Sequence, residues 1–197
     1  ELKMAFTAKD VQTLRQMTGC GMMDCKKALT ESDGDMDKAV EYLREKGLSA
    51  AAKKAGRIAA EGIVCAVADP AKKVGAIIEV NSETDFVAKN ADFIAFVEQC
   101  AHIVMDQNPA DVDALLACKT ADGMTVEELL REKILVIGEN LKIRRFVREE
   151  GDLATYIHAG GVIGVMVKFA VSDGIADKAE FVECGKDVAM QIAAINP

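Results

Sequence analysis

The sequence predicts an α+β fold, with an N-terminal three-helix unit followed by a duplicated hairpin-plus-helix core with antiparallel sheet. Three observations carry that expectation. Apolar residues recur at helical spacing through residues 7–47. Two pairs of strand-like apolar runs are each separated by a short turn. The helical segment after the first pair aligns without gaps on the segment after the second, at an offset of 88 residues.

Taken in order, Thr7-Ala8-Lys9-Asp10 has the form of a capping box, and Val11, Leu14 and Met17 follow at helical spacing. Thr18-Gly19-Cys20-Gly21 breaks that helix, with two glycines able to take positive φ. Met22, Met23 and Cys25-Lys26-Lys27-Ala28-Leu29 start a second helix, and Ser32-Asp33-Gly34-Asp35 makes the next turn. Ala39, Val40 and Leu43 carry a third helix to Gly47, whose position predicts its C-terminal end. Met22 and Met23, beside a glycine loop, fit two readings equally: an adaptable contact surface, or the core of this small unit. Residues 48–60 are Ala-rich and read as helix or helical linker. Their Lys53, Lys54 and Arg57 are read as a solvated face rather than an RNA contact.

The core is read as two copies of strand, turn, strand, connection, helix. The turns are Asp69-Pro70-Ala71-Lys72-Lys73 and Ala159-Gly160-Gly161. Glu61-Gly62 matches Glu150-Gly151, and the strand Gly75-Ala76-Ile77-Ile78-Glu79-Val80 matches Gly164-Val165-Met166-Val167-Lys168-Phe169. The helical segment 91–109 matches 179–197. Between the copies lie a helix over residues 126–137 and a strand over 141–147. The expected organisation is a three-helix unit over 1–48, a linker over 49–60, a first core copy over 61–149 and a second, incomplete copy over 150–197. Because the numbering opens on Glu1 and the second copy stops at Pro197 after one helix, flanking sequence is expected to be missing at both ends.

Composition narrows the function. Half of the 197 residues are hydrophobic and 28% are charged, which describes a globular chain able to bury about 70% of its unfolded surface. Aromatics make up 5% and there is no Trp, so an aliphatic core with nine Met is expected. The net charge of -8 argues against nucleic acid as the main partner. The excess is uneven: residues 1–61 hold 11 of the 24 basic and 10 of the 32 acidic side chains, so the body carries the negative charge. Six Cys without a Cys-x-x-Cys pair, and only two His, argue against zinc. No signal peptide or apolar run of about 18 residues is visible, so free thiols in a cytoplasmic chain are expected. An enzyme needs a poised site. His102 lies in an apolar helix and reads as a core or boundary side chain, and His158 sits beside a glycine turn with no Ser or Cys arranged near it. No enzyme, no cofactor and no metal are therefore expected.

The connection between the first copy's hairpin and helix stands out. Asn81-Ser82-Glu83-Thr84-Asp85-Phe86-Val87-Ala88-Lys89-Asn90 places a large aromatic where polar residues are the rule. In one reading Thr84 or Asp85 caps the following helix and Phe86 folds back onto the core. In the other Phe86 is free to act, because the second copy's connection, Val171-Ser172-Asp173-Gly174-Ile175-Ala176-Asp177, has no aromatic. What a repeat shares reads as scaffold, and what one copy alone carries can be functional. These two readings weigh about evenly.

Strings along nearly the whole chain resemble the elongation factor Ts family, whose members exchange nucleotide on elongation factor Tu. They are Thr18-Gly19-Cys20-Gly21-Met22-Met23-Asp24-Cys25-Lys26-Lys27-Ala28-Leu29, Ala51-Ala52-Lys53-Lys54-Ala55-Gly56, Thr84-Asp85-Phe86-Val87-Ala88-Lys89-Asn90, Ile137-Gly138-Glu139-Asn140-Leu141-Lys142-Ile143-Arg144-Arg145 and Tyr156-Ile157-His158-Ala159-Gly160-Gly161-Val162-Ile163-Gly164-Val165. The three short helices also resemble a ubiquitin-associated domain. The resemblance implies that Asp85 and Phe86, flanked by Thr84 and Val87, enter the partner's nucleotide domain near its magnesium and phosphate sites. It implies that the N-terminal helices, with Met22 and Met23, dock on that domain, and that the second copy reaches another partner domain. It implies no direct nucleotide binding by this chain and no membrane; oligomeric state is left open. Two positions depart from the family: Val162 stands where its second hairpin carries Arg, and Gln191 stands where its helix carries a partner-contacting His. The rival expectation is a ubiquitin-associated-type protein-binding adaptor without exchange activity.

Overall fold

The computed structural model describes residues 6–195, and the Asn196-Pro197 end of the second copy and the Glu1 opening lie outside the described residues. In chain order the elements are α1 (Ala8–Thr18), α2 (Met22–Glu31), α3 (Met36–Lys54), β1 (Glu61–Asp69), β2 (Val74–Ser82) and α4 (Asp85–Ala88). They continue with α5 (Ala91–Gln107), α6 (Val112–Ala117), α7 (Val126–Ile137), β3 (Lys142–Glu150), β4 (Asp152–His158), β5 (Ile163–Phe169) and α8 (Ala179–Ile195). This is a mixed α+β chain whose strands all pair antiparallel. The chain divides into two compact units, one holding the residues up to Arg57 with Glu127–Asn140, the other Ile58–Val126 with Leu141 onward.

In the helical unit α1 and α3 start at a capping side chain, whereas α2 starts at Gly21 with no side-chain cap. The Thr7 amide donates to Asp10 Oδ2 at 2.7 Å while the Asp10 amide donates back to Thr7 Oγ1, closing the capping box. Asp35 caps α3 through the Lys38 amide at 3.1 Å. The core gathers Val11, Leu14, Cys25, Ala28, Leu29, Ala39 and Leu43, with Leu135 of α7 packed on it. Met17, expected among the core residues of α1, is 61% exposed. Gly47 does not end its helix, since α3 runs on to Lys54. A Cβ at Gly47 would lie 3.5 Å from the Arg131 carbonyl oxygen of α7, an ordinary contact distance, so the glycine neither ends the helix nor is required by its neighbour. Lys54 Nζ donates to the Ile134 carbonyl at 3.3 Å, and Asn140 Nδ2 to the Arg57 carbonyl at 2.8 Å, which ties together the C-terminal ends of the two segments of this unit.

In the second unit β1, β2 and β3 form one sheet in that order, and β4 and β5 form another. The β2–β3 register slips at Glu79/Val80. The bulge sets two consecutive arginines against one carboxylate: Arg144 and Arg145 each donate to Glu79 at 2.7 Å. Ala76, Ile78 and Val80 are buried on one face of β2 and α5 packs on this sheet, burying Phe93, Phe96, Val97, Cys100 and Val104. β4 and β5 pack against the first hairpin as well, through a reciprocal contact. A Cβ at Gly75 would lie 2.8 Å from Leu153 Cδ1, and one at Gly164 would lie 2.4 Å from Val64 Cγ1. Each hairpin thus omits a side chain where the other inserts one. α8 packs on β4 and β5, with Phe181 edge-on to Phe169 at 5.3 Å between centroids.

Two further expectations are revised. His102 is exposed on α5 rather than a core or boundary side chain, because the inner positions of that helix are taken by Cys100, Ala101, Ile103 and Val104. The short helix α6, started by Asp111 Oδ1 accepting the Ala114 amide at 2.8 Å, was not anticipated. No helix among the described residues is long and apolar enough to cross a membrane, and the six cysteines are free thiols.

Candidate partner-binding surface

The connection between β2 and α5 is built as one helical turn held between two caps. Ser82, fully buried at the end of β2, donates its hydroxyl to the Thr84 carbonyl at 3.0 Å. Thr84 Oγ1 accepts the Val87 amide, and the Thr84 carbonyl accepts the Ala88 amide at 3.3 Å, which starts α4. The turn closes with the Asn90 amide on the Val87 carbonyl at 2.9 Å. The Asn90 side chain then accepts from the Asp92 and Phe93 amides and starts α5. Thr84 therefore caps α4, whereas α5, the helix that Thr84 or Asp85 was expected to cap, is capped by Asn90. Phe86 does not fold back onto the core: it is 81% exposed. In the connection Ser82 is fully buried, and Glu83, Thr84, Val87 and Ala88 are half-buried.

The carboxylate of the tip is not idle. Asp85 Oδ2 accepts from Lys89 Nζ at 2.7 Å across the single turn of α4. That hydrogen bond and the lysine charge hold the Asp85 carboxyl below its ordinary pKa. Lys89 was not singled out from sequence. The signal was present in the i, i+4 spacing of an acid and a base, but it has meaning only once residues 85–88 are known to be helical.

The remaining candidates sit elsewhere. Met22 and Met23, on the first turn of α2, are 46% and 74% exposed, while Cys25, Ala28 and Leu29 fill the core beneath. The core reading of the two methionines fails on that count. Gly19 takes φ 67°, whereas Gly21 stays at -61° as the residue before α2, so only one of the two glycines uses positive φ. Gln191 is exposed on α8, in a shallow stripe with Cys184, Asp187 and Val188. Val162 is 70% exposed at the second hairpin turn. Thr84, Asp85, Phe86 and Val87 are thus brought together on one element, Met22 and Met23 on another in the helical unit, and Gln191 on a third. Among the described residues no three His, Cys, Asp or Glu side chains converge as a metal site. What the tip presents is an exposed aromatic ring beside an ion pair.

The family model described as elongation factor TS matches residues 83–197, more than half of the chain and all of the tip from Glu83 onward. The chain belongs to the elongation factor Ts family. It is similar to the elongation factor Ts of Clostridium perfringens (strain SM101 / Type A), with 55% identity over 195 residues that cover 98% of this chain and 63% of that protein. Elongation factor Ts of Clostridioides difficile (strain 630) is 51% identical over 194 residues, covering 98% and 63%. That of Trichlorobacter lovleyi is 50% identical over 200 residues, covering 98% and 64%. The chain therefore spans a little under two thirds of the length of these elongation factor Ts relatives. Met22 and Met23 fall outside the family model's match.

Proposed function

We propose that this chain is a guanine nucleotide exchange factor that binds elongation factor Tu carrying GDP and speeds GDP release during translation elongation. The observation that carries the reading is Phe86, a large aromatic left 81% exposed on a one-turn helix capped at both ends. Leaving such a ring in water costs the burial it forgoes, and its burial in a partner returns about 1.5–3 kcal/mol. The tip acts as a wedge. Phe86 enters the partner's nucleotide domain near the magnesium and phosphate sites, and Asp85 competes for hydrogen bonds that hold the switch region. Weaker GDP binding to the factor-bound partner and weaker factor binding to the GDP-bound partner are then the same coupling, so GDP and this chain lower each other's affinity by one factor. No bond is made or broken by the factor, and no cofactor is needed.

In this reading α1–α3 form a ubiquitin-associated-like module that docks on the same partner domain through Met22 and Met23, and residues 49–60 connect it to the core. The two hairpin-plus-helix segments are copies of one duplicated scaffold. The first carries the tip, and the second, with Gln191, reaches another partner domain. The chain works in the cytoplasm. A second reading is favoured by the exposure of Met17, Met22 and Met23 together at one end of the helical unit: a protein-binding adaptor without exchange activity.

The test is release of a fluorescent GDP from elongation factor Tu with and without this chain. Acceleration that falls by about thirtyfold in Phe86→Ala, a loss of about 2 kcal/mol, is the expected result. Binding without acceleration selects the adaptor. A well-folded Phe86→Ala protein that exchanges at the unsubstituted rate sinks the wedge.

A further inference from the structure

The aligned connections of the two copies differ at more than the aromatic. Continuing the register of α5 on α8 places Thr84-Asp85-Phe86-Val87-Ala88-Lys89-Asn90 on Ser172-Asp173-Gly174-Ile175-Ala176-Asp177-Lys178. Five of the seven pairs are alike in size or function as turn residues at the start, Thr with Ser, Asp with Asp, Val with Ile, Ala with Ala, or close the same backbone bond. The Asn90 amide on the Val87 carbonyl at 2.9 Å has its counterpart in the Lys178 amide on the Ile175 carbonyl at 3.1 Å. Where the first copy has Phe86, the second has Gly174 at φ 73°. Where the first copy has Lys89, the second has Asp177, so the position four after Asp173 holds an acid and offers that aspartate no ion pair. Residues 173–178 make turns and no helix. The exposed ring and the ion pair are therefore present together in one copy and absent together from the other.

The geometry also says what the pair does. A helix of four residues has almost no intrinsic stability, and α4 exists because its caps hold it. Asp85 lies in its first turn and Lys89 is its C-terminal cap residue, each at the helix end that favours its charge. Both side chains are largely in solvent, 53% and 74% exposed, and Nζ sits 2.7 Å from Oδ2. The pair therefore selects one orientation for a carboxylate that would otherwise sample several, and it offsets that charge beside Phe86.

We infer that Lys89 is a positioning residue for Asp85: it presets the carboxylate of the tip and acts on nucleotide exchange only through that carboxylate. The inference rests on the exchange reading above. It is tested with the full chain, by fluorescent GDP release from elongation factor Tu, using Lys89→Met, Lys89→Arg, Asp85→Asn and the double variant Asp85→Asn/Lys89→Met. Lys89→Met should lower the acceleration by about twofold, the scale of one exposed i, i+4 pair. Lys89→Arg should restore it. In the Asp85→Asn background Lys89→Met should cost nothing further, with thermal unfolding unchanged throughout. Equal losses in both backgrounds, or no loss in Lys89→Met while the unsubstituted chain still accelerates release, overturn this inference and leave the exchange reading standing. No acceleration by the unsubstituted chain overturns both.

Discussion

Residues 84–90 and 172–178 occupy the same place in two similar segments, each leading from the second strand of a hairpin into a helix of 17 residues. Both share a backbone hydrogen bond at the helix entrance. One displays a phenyl ring and an ion pair; the other displays a glycine and two acids. The same contrast recurs in the helices behind them. Phe96 and Cys100 of α5 are 1% and 0% exposed, whereas Cys184 and Val188 at the aligned positions of α8 are exposed. α5 lies against a sheet of three strands, and α8 against a sheet of two. The comparison teaches how packing and exposure are divided: the first segment supplies the well-packed support, and the proposed contact residues stand on the rim of that support rather than within it.

The largest effect that can break this comparison is a matched pair of truncations. Phe93 is fully buried under α5, and its counterpart Phe181 is half-buried beside Phe169. Phe93→Ala should cost about 3–5 kcal/mol, and Phe181→Ala about half of that. Denaturant titration of both variants reads the two values directly. Equal costs would mean that the two segments support the fold alike.

A smaller effect separates the two sheets. At the position where β2 carries Glu79, β5 carries Lys168. Burial pushes the Glu79 pKa up, but the guanidinium hydrogen bonds and charges of Arg144 and Arg145 outweigh it and hold the carboxyl below its ordinary value. A depressed carboxyl stabilises the fold fully above the usual carboxylate range, and that contribution is lost as pH falls through the folded-state value. Glu79→Gln should cost about 1–2 kcal/mol at neutral pH. The same change should cost progressively less as pH falls through the folded-state value, where the glutamate itself is protonated. A cost independent of pH would remove the carboxylate's charge from the account of the β2–β3 seam.

Much of this organisation was legible in the sequence because local patterns declare it. The capping box at Thr7 needs only four residues, and the hairpins need only their alternation and turns. Three features were not legible, each for a physical reason. Gly47 carries the mark of a helix end, yet α3 runs through it to Lys54, and the neighbour beside it there, Arg131, is 84 residues away, which no local pattern records. Met17 has the spacing of a core residue but sits in the last turn of α1, where the core has already been closed by Leu14 and Cys25. The exposure of Phe86 could not be decided from the connection itself, since aromatics in such places usually fold inward. Only the internal contrast with the second copy pointed outward.

The smallest effect bears on the tip itself. With Lys89 at 2.7 Å, Asp85 is held below the ordinary aspartate value first by the lysine hydrogen bond and charge, with desolvation opposing and the backbone amides of Asp85 and Phe86 assisting. If the lysine hydrogen bond and charge dominate, Lys89→Met should raise the Asp85 midpoint toward the ordinary value, whereas Lys89→Arg should leave it low. The shift is readable by following the Asp85 side-chain carboxyl by NMR against pH. The sign is fixed by the charge removed: without the cation, the protonated form gains relative to the ionised one. Because both side chains are open to solvent, added salt should shrink the difference between Lys89→Met and the unsubstituted chain. A midpoint that stays low in Lys89→Met would mean that the backbone amides at the start of α4 hold the carboxylate unaided. The ion pair would then follow from the helical turn rather than set the tip's geometry, and the contrast between the two connections would rest on Phe86 alone.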